Sequence, residues 1–184
     1  MTREKRNMTE DELIEGCLNN DSLAQKKLFN KYAPKMLGVC MRYNNNSAEA
    51  EDALQEGLIK VFQNLHSFSG SGSFEGWIRR IIVNTCLDSI RKNKNIKMHT
   101  PIDDVAYSLK SEQFILEGMA ARDLIKILNK IPTGYRTVFN LYAIEGYSHK
   151  EIANELGITE STSKSQLSRA RMVLRDIIKK NKFL

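Results

Sequence analysis

Thr162, Lys164, Ser165, Gln166, Ser168, Arg169 and Arg171 follow one another closely and supply hydroxyl, amide and cationic groups. On one side of a helix such groups bond phosphate oxygens and base edges, the chemistry of major-groove entry. From Ser161 to the C-terminus there are seven Lys or Arg against one Asp. That bias is what a polyanionic partner rewards. The same pattern would also serve the solvated face of a helical hairpin.

Two further groupings offer binding chemistry. Asp52, Gln55, Glu56, Ile59 and Gln63 are spaced by three and four residues, which puts an acidic, hydrogen-bonding strip with one aliphatic on a single helix face. A strip of this kind suits a protein partner, and equally a solvated face. Next, Phe68 and Phe74 bracket the polar run Ser69-Gly70-Ser71-Gly72-Ser73, and Trp77, Arg80, Asn84, Asp88 and Arg91 fall along one face of the segment after it. Aromatic rings, cations and short amides beside a mobile loop are what unstacked bases need. A lone Trp and two Phe also commonly belong to a core.

Catalytic chemistry finds no comparable grouping. His66, His99 and His149 are far apart, Asp103-Asp104 lies in a polar stretch, and no glycine-rich phosphate loop occurs. Cys17, Cys40 and Cys86 are odd in number and form no C-x-x-C pair, which points to free thiols rather than a disulfide framework or zinc site. The expectation is a binding protein with no catalytic residue, no metal, no cofactor and no small-molecule substrate.

Helices must position all three groupings. Ser148 with Glu151 is a capping box, Gly157 suits a left-handed helix end, and Thr159 is a fresh N-cap. Together they predict a short helix burying Ile152, Ala153 and Leu156, then a longer one burying Leu167, Ala170, Val173 and Leu174. That is the helix-turn-helix pattern. Upstream, Thr9 and Glu12 cap a first helix, with Met8 and Leu13 as a hydrophobic staple. Asp21 or Ser22 starts a second burying Leu23, Leu28, Phe29 and Tyr32, and Pro34 opens a third packing Leu37, Cys40 and Met41. Ser47 caps the helix that carries the acidic strip, with Ala50, Leu54, Leu58, Val61 and Leu65 inward. The helix after the Phe68 to Phe74 loop buries Ile78, Ile81, Ile82, Thr85 and Ile90. A polar stretch at 95–111 reads as a linker. Beyond it Phe114, Ile115, Met119, Leu124, Ile127, Leu128 and Ile131 recur at helical spacing, and Pro132 opens a helix with Val138, Phe139, Leu141 and Tyr142 as core candidates.

The 184 residues, 41% hydrophobic and 27% charged with 3 Pro, therefore suit an all-α chain: two small helical domains, 1–94 and 112–184, joined by a flexible linker, the second containing the helix-turn-helix. The net charge of +6 is unevenly placed: residues 10–56 hold nine acidic against five basic side chains, and residues 76–97 six basic against one acidic. Two surfaces of opposite sign imply two different partners. No secretory signal and no apolar run of membrane-spanning length is visible, so the expectation is a cytoplasmic chain that is not membrane-embedded.

The segment DALQEGLIKVFQNL from Asp52, the Phe68 to Phe74 loop with GWIRRIIVNTCLDSIRK, and IPTGYRTVFNLYAIEGYSHKEIANELGITESTSKSQLSRAR from Ile131, in this order, resemble a bacterial RNA polymerase sigma factor of the extracytoplasmic-function group. The resemblance spans residues 10–95 and 112–180. It implies partners: core RNA polymerase, promoter DNA as duplex and as melted strand, and an anti-sigma factor. It implies that Asp52, Gln55, Glu56 and Ile59 meet the polymerase. Phe68, Ser69, Gly70, Ser71, Phe74, Trp77, Arg80, Asn84 and Arg91 would handle the minus-ten element. Arg136, Ser148, Thr162, Lys164, Ser165, Gln166, Ser168 and Arg169 would handle the minus-thirty-five element. Ser163 stands where many relatives have an apolar residue, and Gln166 where many have Arg. The competing reading is a dimeric helix-turn-helix regulator that binds palindromic duplex unaided and has no use for the acidic strip.

Overall fold

The computed structural model describes residues 8–97 and 119–180, and the elements among them are all helical. Helix α1 spans Glu10–Leu18, α2 Ser22–Tyr43, α3 Ser47–Asn64 and α4 Phe74–Lys97. In the second half α5 spans Met119–Asn129, α6 Thr133–Phe139, α7 His149–Leu156 and α8 Glu160–Lys180. A 3₁₀ turn, Leu65–Ser67, ends α3, and a π-helical turn, Asn140–Ile144, continues α6. The all-α expectation holds. Phe114, Ile115 and linker residues 98–111 lie outside the described residues. The backbone of α4 runs to Lys97, past the point where the polar composition begins.

Helix α1 starts as its capping residues dictate. Glu12 N donates to Thr9 Oγ1 at 3.2 Å and Thr9 N to Glu12 Oε2 at 2.8 Å. It turns into α2 through Asn20, whose φ of 58° is left-handed. The two helices approach closely because Gly16 lacks a side chain: a Cβ there would lie 2.6 Å from that of Ala24.

Three expectations about local structure are corrected. Pro34 does not open a new helix but lies inside α2. Proline removes one backbone hydrogen bond, and here that loss is outweighed by Tyr32, Ala33, Met36 and Leu37, all buried on either side of it. The cap of α3 is Asn46, one residue before Ser47, with Asn46 Oδ1 accepting from Glu49 N at 2.8 Å. Phe29, Leu124 and Tyr142 are exposed rather than core. Leu28 and Leu141, expected inward beside two of them, are buried, and Ile125 takes the inward position next to Leu124; a periodic pattern with adjacent apolar residues does not fix which of two neighbours faces in.

Helices α2, α3 and α4 enclose the main core, with Tyr32, Tyr43, Leu54, Leu58, Val61, Ile78 and Ile82 buried. The three cysteines are buried free thiols. Burial pushes Cys17 up to about 11, with Asp21 nearby adding to the shift.

The second half packs on this bundle. Its Val138, Leu141, Ile152 and Leu167 join the same apolar cluster, while Leu128, Ile131 and Ala170 form a smaller one. The seam carries specific polar bonds as well. Arg42 and Tyr43 lie in the last turn of α2, where carbonyls lack helical partners. Asn140 Nδ2 donates to Arg42 O at 2.8 Å and Arg136 Nη2 to Tyr43 O at 3.3 Å. The second half thus caps α2.

Candidate nucleic-acid interface

The helix-turn-helix forms as its punctuation predicts. Ser148 and Glu151 complete the capping box of α7: Glu151 N donates to Ser148 Oγ at 3.2 Å and Ser148 N to Glu151 Oε2 at 2.8 Å. Ser148 Oγ also donates to that carboxylate at 2.7 Å, and these bonds hold Glu151 below the usual carboxylate range. Gly157 ends α7 at φ 62°, and Thr159 Oγ1 accepts from Thr162 N at 3.1 Å to start α8. Ile152, Ala153, Leu167 and Ala170 are buried along the two helices, which fixes which side of α8 remains outside.

On that outer side Lys164, Ser165, Ser168 and Arg169 are exposed, and Thr162 and Gln166 are half-buried. Arg169 is pre-placed. It donates to Tyr135 Oη at 3.0 Å, and its guanidinium lies 5.8 Å from the Tyr135 ring centroid. Lys164 has only a 4.0 Å ion pair with Glu160, and Ser165 Oγ is turned back to Thr162 O at 2.9 Å. Ser163 is fully buried, and its hydroxyl lies 2.9 Å from His149 Nδ1. This pairing satisfies a polar group at a position suited to an apolar one. The His149 ring stacks on Tyr142 at 4.6 Å, so the start of α7 is tied both to α8 and to the π-helical turn.

Asp52, Gln55, Glu56 and Ile59 share one exposed face of α3, and Ile59 is 56% exposed. Sequence reasoning missed the cation beside them. Lys60 pairs with Glu56 at 2.9 Å and reaches Asp88 of α4 at 3.7 Å. The bond from Lys60 holds the Glu56 carboxyl below its ordinary value.

Around the polar loop, Ser69, Gly70 and Ser71 are exposed, with Gly70 at φ 73° and Gly72 at φ 85°. Phe74, expected at the loop's binding surface, is 1% exposed and acts as a floor. Its ring lies 5.0 Å from Phe68, 5.8 Å from Trp77 in a stacked pair, and 5.6 Å from Tyr32 edge-on. Phe68 and Trp77 stay half-buried, so the outer rings of one aromatic cluster border the loop.

The remaining residues of this group reach the seam. Arg80 is exposed and lines a cleft of about 500 Å³ between the halves. Asn84 is half-buried. Arg91 donates to Asp88 at 2.7 Å and also to Glu155 O of α7. Arg136, expected at duplex DNA, is 1% exposed. Its Nη2 donates to Asn45 Oδ1 at 2.5 Å and its Nη1 to Asn129 Oδ1 at 3.0 Å, beside the bond to Tyr43 O. A guanidinium amid apolar side chains needs such acceptors, and the Asn44-Asn45-Asn46 run between α2 and α3 supplies one of them. Arg42, Arg79 and Glu145 also meet here and carried no signal in the sequence patterns.

No group of His, Cys, Asp or Glu among the described residues could hold a metal ion, and no described helix is long and apolar enough to cross a membrane.

Comparison with known proteins matches residues 28–96 to the family described as Sigma-70 region 2 and residues 121–174 to Sigma-70, region 4. The chain is 32% identical over 156 residues to the ECF RNA polymerase sigma factor SigW of Bacillus subtilis, covering 78% of this chain and 83% of SigW. It is 32% identical over 159 residues to ECF RNA polymerase sigma factor SigE of Mycolicibacterium smegmatis, covering 84% of this chain but 62% of SigE's own length. Among solved structures, the sigma factor RpoE of Bartonella quintana, crystallised with the anti-sigma factor NepR, shares the fold at a TM-score of 0.56 and 22% identity, over 84% of this chain and 96% of that one.

Proposed function

Because the chain belongs to the extracytoplasmic-function sigma factors of bacterial RNA polymerase, we propose that it is a dissociable initiation subunit, itself without catalytic activity, that lends promoter recognition to the core enzyme in the cytoplasm. The observation that carries this reading is the pairing of two exposed surfaces of opposite character on one chain. The α3 strip of Asp52, Gln55, Glu56 and Ile59 is acidic with one apolar residue. The α8 face of Lys164, Ser165, Ser168 and Arg169 is cationic and hydroxylic.

In this reading the domain at 1–94 docks on the polymerase through the α3 strip. Exposure of Ile59 supports it, since an apolar side chain ringed by acids and amides gains by burial against a partner. The Phe68 to Phe74 loop receives an unstacked base over the Phe68 and Trp77 rings, and Arg80 and Asn84 handle adjoining DNA. The domain at 112–184 reads duplex through α8. Lys164 and Arg169 contribute phosphate attraction and Gln166 a bidentate amide. An anti-sigma factor is part of the proposal, because the similarly folded RpoE was solved with one.

The test is to add the purified chain to bacterial core polymerase and sequence the transcripts that start. New start sites sharing two upstream elements are the expected result. A chain that never binds the polymerase and instead protects symmetrical operators unaided would overturn the proposal in favour of a dimeric regulator.

A further inference from the structure

Two arginines of the first half converge on one carboxylate of the second. Glu145 Oε1 accepts from Arg42 Nη2 at 2.9 Å and from Arg79 Nη2 at 3.2 Å, while its Oε2 accepts from Arg79 Nε at 2.6 Å. Arg79 therefore grips the carboxylate with a two-pronged fork and Arg42 adds a second cation. The Glu145 side chain is 6% exposed, that of Arg42 15% and that of Arg79 36%. Arg42 Nε is buried and meets no acceptor among the described residues, so the pair offers more donors than one carboxylate fills. Burial lowers the Arg42 pKa, whereas the hydrogen bond that Arg79 donates to Glu145 raises that of Arg79; both remain charged.

Two guanidinium groups presented by adjacent helices suit a phosphate as well as a carboxylate. Arg42 lies near the end of α2 and Arg79 in the second turn of α4, both on the half that carries the aromatic loop. The cleft of about 500 Å³ beside Arg79 is walled by Arg80 and Val83 of the first half and by Glu145, Gly146 and Tyr147 of the second, so it is a feature of the packed form, in which Glu145 holds the anion position. When the second half withdraws, the arginines lose their counter-charge. Two cations left this close repel each other and call for another anion.

We propose that Arg42 and Arg79 form a phosphate-binding site that the chain fills in cis with Glu145 when its halves pack together, and that a phosphodiester of bound nucleic acid occupies when they part. The proposal rests on the reading that this half handles promoter DNA, and it adds a site and a competitor to that reading. Glu145 and nucleic acid are then mutually exclusive ligands.

The test uses the full chain without polymerase, and a fluorescent oligonucleotide, single-stranded in one arm and duplex in the other, followed by anisotropy across a salt series. Glu145→Gln keeps the shape and removes the charge. Its expected effect is tighter binding by about fivefold in at least one arm, with a log-log salt slope steeper by about 1. Adding Arg79→Gln should abolish that gain. If Arg79 were only a strut for the packed form, the double variant would bind as Glu145→Gln does, and that result overturns the proposal. Unchanged binding by Glu145→Gln overturns it as well. Should circular dichroism show that Glu145→Gln does not fold, Glu145→Asp, which withdraws the carboxylate by one methylene, replaces it with a smaller gain expected in the same cycle. Polymerase capture by the wild-type chain is read separately. A chain that is captured but fails the cycle loses only this site. One that passes the cycle but is not captured loses the initiation reading instead.

Discussion

Glu56 and Lys60 lie one helical turn apart on α3 and form a 2.9 Å ion pair on the surface proposed for the polymerase. The spacing of the acidic strip was readable in the sequence because position on a helix depends only on the 3.6-residue period. The i,i+4 spacing of Glu56 and Lys60 follows from the same period, whereas the reach of Lys60 to Asp88 of another helix does not. Glu56 is depressed chiefly by the hydrogen bond from Lys60. A carboxyl lowered in the fold stabilises above its ordinary value, and that contribution fades as pH falls through the lowered value. It is small, since the pair is solvent-exposed. Replacing Lys60 with Gln should return the Glu56 pKa toward its ordinary value, which carboxyl-detected NMR titration reads directly. Glu56→Lys reverses the charge and should weaken capture of core polymerase at least about tenfold, while oligonucleotide binding by α8 persists. Equal capture by the variant would remove Glu56 from the proposed surface.

At the scale of elements, the helix-turn-helix was fully legible: Ser148, Glu151, Gly157 and Thr159 are local signals, and each bond they predict spans three or four residues. Pro34 inside α2 was not, because helix continuity there is decided by what Met36 and Leu37 pack against. The same division holds for the proposed contacts. Arg169→Ala should weaken promoter duplex binding about tenfold and flatten its salt slope by about 0.9, because Tyr135 holds the guanidinium in place before DNA arrives. An unchanged slope would mean that Arg169 meets no phosphate. Trp77 calls for a finer substitution, since its ring stacks on buried Phe74 and so serves the α4 packing too. Trp77→Ala should cost about 3 kcal/mol of stability in addition to reducing strand opening. Trp77→Phe should retain most stability. If permanganate footprints show full opening with Trp77→Ala under conditions where it is folded, the ring has a packing role alone.

For the whole molecule, what escaped the sequence is the seam, and for one reason: its bonds join residues more than sixty positions apart, such as Arg79 with Glu145 and Arg136 with Tyr43 and Asn45. No periodicity or cap registers such a pairing. Arg136 is the sharpest case, because the family resemblance implied a DNA contact while its side chain is buried against the end of α2. Methionine in its place would fill a similar volume yet leave Tyr43 O, Asn45 Oδ1 and Asn129 Oδ1 without their donor. Tyr43 O is buried while Asn45 and Asn129 are half-buried, and an unpaired buried acceptor costs about 1 kcal/mol or more, so Arg136→Met should lower unfolding stability by about 1 to 2 kcal/mol in urea titration. Arg136→Lys should recover little of this, because a single ammonium cannot span acceptors set around a planar fork. The two roles separate cleanly: a seam residue lowers the urea midpoint and leaves the duplex salt slope of the folded fraction unchanged. A DNA-positioning residue flattens that slope with the midpoint intact.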